Sequence, residues 1–389
     1  MELMKASKQW AERPADERFW DLKEMFAKTQ EFKNLAVEST SKFSDLSVQA
    51  QGDEVVIVGK KGIPANLTNW SFGQLCSRSG APASYLRKLP AELAAQDLDY
   101  GLKNLANDDE PSKFLFRKNG GFSLRAATSS RYTRIWDADI VKRVDEQLVS
   151  KGGWRVPPAR PAGVAGERTR IATAQDVMVL QKDGLSIKAG DVIAPAGLYA
   201  SDHDMFMFLV NEDKLVDDGS GHGLGRGFFL WNSEVGAASF GLMTFLYDAI
   251  CGNHIVWNAR EVQDLRIRHV GTADGRAFEG IRMEITKYAN DSVSDMEAKI
   301  KKARSIEFGG TKEEAVDALF SKITKARLAI TKDNLLDAHD AAEGAQRYGS
   351  PRSLWGFVNG LTEVSQRSEH TDERVALDRA AGKLMEIEF

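Results

Sequence analysis

The chain has 389 residues, of which 42% are hydrophobic and 28% charged, and its net charge at pH 7 is −4. That is ordinary globular composition at a length beyond one usual core, so it predicts two domains, or one large domain with a helical appendage. Two cysteines far apart, Cys76 and Cys251, exclude a disulfide framework and point to a reducing, cytoplasmic setting. The opening residues lack an apolar leader segment, and the most apolar run, near 242–250, is too short to cross a bilayer, so no membrane is expected.

Residues 1–50 read as an N-terminal extension anchored by Trp10, Phe19, Trp20, Phe26 and Phe32, with a helix start near Pro14. An α+β core follows over 51–271. Its first strand falls at 54–58, β-branched and bounded by Gly52 and Gly59. Thr68 or Asn69 then caps a helix ending near Gly80, Pro82 opens a second, and 91–105 form a third. Alternating runs at 113–118 and 122–128 around Asn119-Gly120-Gly121 predict a hairpin. Asp137 or Asp139 should cap a helix through Val149, and the Pro/Ala/Gly-rich 157–166 must be a loop.

Strands are expected at 171–180, 185–192 and 205–210. Five glycines alternate from Gly219 to Gly227 with His222 and Arg226 between them, and 228–231 return as a strand. Asn232 or Ser233 then caps the most apolar helix of the chain, closing at Gly252. Short strands at 254–257 and 264–269 precede a helical region over 272–389. The expected class is α+β: a central, mostly antiparallel sheet with hairpins packed on a long buried helix, plus an N-terminal helical block and a helical C-terminal region.

Candidate chemistry concentrates between Lys113 and Arg170. Thirteen Lys/Arg stand there against five Asp/Glu, a segment of +8 in a chain of −4, leaving −12 elsewhere. Aromatic residues sit among the charges. Cations that neutralise phosphates beside rings that stack on bases are what a single-stranded nucleic-acid groove requires; a charge run is also commonly only a solvated face. The residues picked for the groove are Arg117, Lys118, Arg125, Arg131, Tyr132, Arg134, Trp136, Lys142, Arg143, Trp154 and Arg226. Segment 129–137 joins a strand to a helix start, where backbone N–H groups attract phosphate oxygens.

Other chemistries find less support. The glycine alternation lacks any Gly-Lys-Ser/Thr and any Gly-x-Gly-x-x-Gly spacing, so it is not a phosphate loop. Asp202-His203-Asp204 are consecutive, and adjacent strand residues face opposite ways, so they make a poor metal set. Cys76 lacks an assigned base, and Ser233 lacks the Gly-x-Ser-x-Gly elbow. No catalytic residue, metal or cofactor is expected.

Several stretches, taken in order, resemble the phage- and plasmid-borne family of domain-of-unknown-function 932. They are 67–90, Ser130-Arg131-Tyr132 with Asp137-Ala138-Asp139, Asn232-Ser233-Glu234-Val235-Gly236, Cys251-Gly252-Asn253 into Val256-Trp257, and 354–363. The resemblance implies a mobile-element gene and no established chemistry. The order strand, glycine turn, strand, long helix is also similar to the Rad52/Redβ-like single-strand annealing proteins, which would imply a ring or filament holding bases along a basic groove. The expected function is therefore single-stranded DNA binding by a homo-oligomer, with strand annealing. The alternatives are a host-interaction protein using its acidic remainder, or a metal-dependent nuclease.

Overall fold

The computed structural model describes residues 14–387 apart from 107–108, 152, 157–159, 162–168, 183–186, 196, 222, 249–252, 256–264, 291, 346–348 and 367–370. Helix α1 (Leu22–Asn34) leads into β1 (Ala36–Ser41), β2 (Ser47–Gln51), β3 (Glu54–Val58) and β4 (Pro64–Leu67). Helices α2 (Asn69–Ser79), α3 (Ala83–Leu86) and α4 (Ala91–Asn104) precede the hairpin β5 (Ser112–Lys118) and β6 (Phe122–Thr128). The strand order is β1-β5-β6-β4-β3-β2, antiparallel except for the β4/β6 pair. Leu75, Leu98, Phe114 and Leu124 fill the core between this sheet and its helices. Residues 36–41 and 47–51 are thus sheet members, and β2 runs through the expected boundary at residue 50.

Local chemistry explains these elements. The Thr68 side chain accepts from Ser71 N at the start of α2, and Gly80 ends it at φ 74°, a left-handed cap that glycine adopts without cost. Gly120 turns the β5/β6 hairpin at φ 69°. Helix α5 (Asp137–Val144) continues as a wider turn over Asp145–Val149.

A second sheet is built from β11 (Leu198–Ala200), β12 (Met205–Val216), β13 (Leu224–Asn232), β14 (Phe240–Asp248) and β15 (Asn253–Ile255), after short pieces β7 (Trp154–Arg155), β8 (Arg160–Pro161), β9 (Arg170–Ile171), α6 (Ala174–Lys182) and β10 (Val192–Ala194). Strand β7 pairs β12, and β16 (Leu265–Ile267) pairs β14. Met205, Met207, Leu209, Phe228, Leu230, Leu242 and Leu246 point into the main core. They meet helices α7 (Ala273–Asn290), α8 (Val293–Ser305), α9 (Lys312–Ala326), α10 (Lys332–Ala345), α11 (Leu354–Gln366) and α12 (Thr371–Leu384). The helical C-terminal region thus packs on the sheet, and the fold is mixed α/β.

Several expectations fail. Of the strand expected at 185–192, the described residues 187–191 are turn and coil, and only Val192 belongs to β10. The long buried helix after Asn232 is strand β14: Phe240, Leu242, Thr244 and Leu246 face the core while Gly241, Met243 and Phe245 face the other side. Both faces are apolar, so the run carries no polar/apolar alternation to separate strand from helix. The strand expected at 171–180 is mostly helix α6, because Thr173 Oγ1 accepts from Asp176 N and Asp176 accepts from Thr173 N, a reciprocal cap that starts a helix. Gly252, His222, Cys251 and Trp257 lie outside the described residues. Among the described residues no helix is long and apolar enough to cross a membrane.

Candidate nucleic-acid interface

The chosen basic residues do not form one surface. Two of them, Arg125 and Arg134, build with Tyr132 a buried hub between the two sheets. Arg125 of β6 and Glu234, just after β13, are each 2% exposed and pair at 2.9 Å. Arg125 Nη2 also donates to Asp202 O at 2.7 Å. Arg134 donates through Nη1 to Glu234 O and through Nε to Glu38 at 2.8 Å. Tyr132 donates its hydroxyl to Ser233 O at 3.0 Å, and burial pushes its phenol well above the ordinary range.

The same hub starts α5. Asp137 N donates to Glu234 Oε1 at 3.0 Å, so a carboxylate 97 residues away sits at the helix N-terminus, where negative charge is favoured. The Asp137 side chain accepts from Asn232 at 2.7 Å instead of capping its own helix. Burial, then Glu234, raise the Asp137 carboxyl well above its usual value. Trp70 Nε1 and Gln74 Nε2 both donate to Val235 O. The Asn232-to-Gly236 stretch is therefore a structural clasp, and phosphates cannot reach the cations within it.

The remaining choices scatter. Arg226 is 2% exposed and donates to the Tyr288 and Ala289 carbonyls, capping the C-terminal end of α7. Trp154 is buried edge-on against Phe228, with ring centroids 4.8 Å apart. Arg117 is half-buried over Phe32 at 4.3 Å, its charge disfavoured by burial and then by Arg125. Trp136 lies half-buried near Lys33 and Arg134. Lys118 is exposed at the hairpin, and Arg131, Lys142 and Arg143 are exposed. These burials correct the continuous groove: Arg125, Arg134, Arg226 and Trp154 serve the interior because each has a polar or aromatic partner distant in sequence.

An aromatic surface that charge counting missed lies on the outer face of the second sheet. Register aligns Phe206 with Trp231 and Phe208 with Phe229 across β12/β13. Phe208 and Phe229 stack at 5.4 Å, and Phe229 and Trp231 at 5.2 Å. All four rings are half-buried; Phe208, Phe229 and Trp231 rest on Met243 and Phe245, and Phe206 lies beside Tyr199. Two glycines make room for this layer. A Cβ at Gly241 would meet the Trp231 ring at 2.0 Å, and one at Gly227 would meet the Phe245 ring at 2.1 Å. Gly227 thus belongs to the sheet, whereas Gly219, Gly221 and Gly223 have positive φ in the turn before it. The signal was present as period-2 aromatics, Phe206/Phe208 and Phe229/Trp231.

Positive charge borders that face. Gly241 pairs with Arg266 in β16, which puts Arg266 on the Trp231 side, and Arg268 follows just beyond the strand. Arg268 is exposed. Tyr132 bridges Val270, and Thr133 N donates to His269 O at 2.8 Å, which brings the Arg131 turn beside Arg268. Arg276 donates to Val270 O at 2.8 Å, and Arg143 lies over Phe278 of α7 at 5.4 Å. Across 129–143 and 265–282, seven exposed Lys/Arg face Asp139, Asp274 and Glu279, and Asp139 is already bound by Lys33. The Tyr132 and His269 rings stack at 4.9 Å beneath this edge. Burial lowers His269 to about 4, so its imidazole is neutral at pH 7.

The other chemistries also resolve. Burial raises Cys76 to about 11, a protonated thiol unsuited to attack. His203 lies 3.7 Å from Asp204, while Asp202 engages Arg125 through its backbone. Among the described residues these three do not converge as metal ligands; His339, Asp340 and Glu343 do.

Residues 223–384 match the family model described as Domain of unknown function (DUF932). That match includes the clasp motif and the 354–363 stretch, while 67–90 and 130–139 lie outside it. No curated protein and no solved structure matches the chain. The similarity to Rad52/Redβ-like annealing proteins required a long helix after Trp231; strand β14 removes it.

Proposed function

We propose that this chain, which belongs to the DUF932 family through residues 223–384, binds single-stranded DNA across the outer face of its second sheet. The observation that supports the reading is the half-buried aromatic row Phe206, Phe208, Phe229 and Trp231 beside the cationic edge of Arg131, Arg266 and Arg268. A flat ring offers stacking to every base, worth about 1–3 kcal/mol per base, and needs no sequence-specific contact. Duplex bases are already stacked on one another, so the row selects unpaired strands. The edge cations neutralise phosphates and make affinity fall with salt.

Fluorescence anisotropy with a labelled oligothymidylate tests this. Phe229→Ala should weaken binding about tenfold at every salt concentration, since it removes one stacking partner. Arg268→Glu should weaken binding and reduce the steepness of the salt dependence. Parental affinity in both variants would place the interface elsewhere, and an absence of binding by the parent chain would end the proposal.

A further inference from the structure

The helical region holds a second constellation, independent of the sheet face. On α10, His339 and Glu343 stand four residues apart and so share one helix face. Asp340 folds toward them, and one ligand atom from each residue lies within 4.8 Å of the others. Glu343 and Asp340 are exposed, whereas His339 is only 4% exposed. Its Nδ1 is buried without a hydrogen-bond partner and sits 3.7 Å from Asp340 Oδ1.

A buried imidazole nitrogen with no partner costs about 1–3 kcal/mol, so it needs a compensating role. The separation from Asp340 is too long for a hydrogen bond. It suits two donors held by one ion, because metal–nitrogen and metal–oxygen bonds of about 2.0–2.2 Å leave neighbouring donors roughly 3–3.5 Å apart.

We propose that His339, Asp340 and Glu343 bind a zinc-class divalent cation. One nitrogen and two carboxylates supply three protein ligands and leave a position for water. Lys312 of α9 forms an ion pair with Asp340, so it neutralises the carboxylates in the metal-free chain and competes with the ion. Metal entry must release Lys312 from Asp340, which loosens one contact between α9 and α10.

Cobalt(II) added to the full chain, followed by its visible absorption and by calorimetry, reads the site directly. The expected result is one cobalt per chain with a d–d spectrum, displaced by zinc. Glu343→Gln, an exposed change, should weaken cobalt binding at least tenfold, and His339→Asn should abolish the spectrum. Lys312→Met should tighten binding, which a merely adventitious surface site would not do. Absence of cobalt binding overturns the assignment. So does unchanged affinity in Glu343→Gln or weaker binding in Lys312→Met, each measured on protein that melts like the parent.

Discussion

Replacing Arg125 by Met should destabilise the chain by about 4 kcal/mol, the usual consequence of leaving one member of a buried ion pair alone. The structure fixes the components. Glu234 would lose its Oε2 partner but keep the Asp137 N–H at Oε1, so its charge stays half satisfied in a site only 2% exposed. The Asp202 carbonyl would lose its donor as well, a further ~1 kcal/mol. Arg134 reaches the Glu234 backbone and Glu38, so it offers no direct replacement at the carboxylate. Adding Glu234→Gln to Arg125→Met removes the stranded charge and retains an acceptor for Asp137 N, so the double variant should recover at least half of the loss, about 2 kcal/mol. Urea unfolding at pH 7 measures both, with tryptophan emission as the probe, because Trp70 is bonded to Val235 O and Trp136 lies by Arg134. A single-variant loss under about 1 kcal/mol would refute the hub as a buried ion pair. A double variant as unstable as the single would show that packing, rather than charge, holds the clasp.

Two further outcomes follow from the described geometry. His269 is neutral in the folded chain, its value lowered from 6.5 to about 4. As pH falls below 6.5 the unfolded imidazole takes up a proton that the folded one refuses, so this contribution is present above 6.5 and lost as pH falls toward 4. The loss between pH 7 and 5 should be about 2 kcal/mol, and His269→Gln should flatten that part of the stability profile; an identical pH slope in both proteins would contradict it. Gly360→Ala places a Cβ 2.0 Å from Ala338 O, where α11 meets α10, and should cost about 3 kcal/mol by overpacking. Gly344→Ala on α10 meets nothing within 4 Å and should be neutral or stabilising by up to about 1 kcal/mol. Thermal melts of the pair compare them, and equal melting points would refute the close approach.

Much of the fold was legible where one signal dominated. Asn119-Gly120-Gly121 between alternating runs located the β5/β6 hairpin, and Thr68 with Gly80 bracketed α2. Strand β14 was not legible because Phe240, Met243, Phe245 and Leu246 leave neither face polar. The site was read less well, for a related reason. A charge count treats Arg125 and Arg134 as solvent cations, and nothing near them in sequence announces Glu234, 109 and 100 residues away. The stacked rings of Phe208 and Phe229 depend on strand register, which becomes visible only once β12 and β13 pair. His339 was not singled out, because its burial near Phe357 of α11 follows only from how α10 and α11 pack.

The sheet-face account is tested most directly by competition between a single-stranded oligonucleotide and its duplex, for the parent chain and for Phe229→Ala. Stacking on Phe208, Phe229 and Trp231 predicts that the parent prefers the single strand by tenfold or more and that removing the Phe229 ring narrows this gap. Equal affinity for both forms in the parent, or a preference untouched by the substitution, would contradict it.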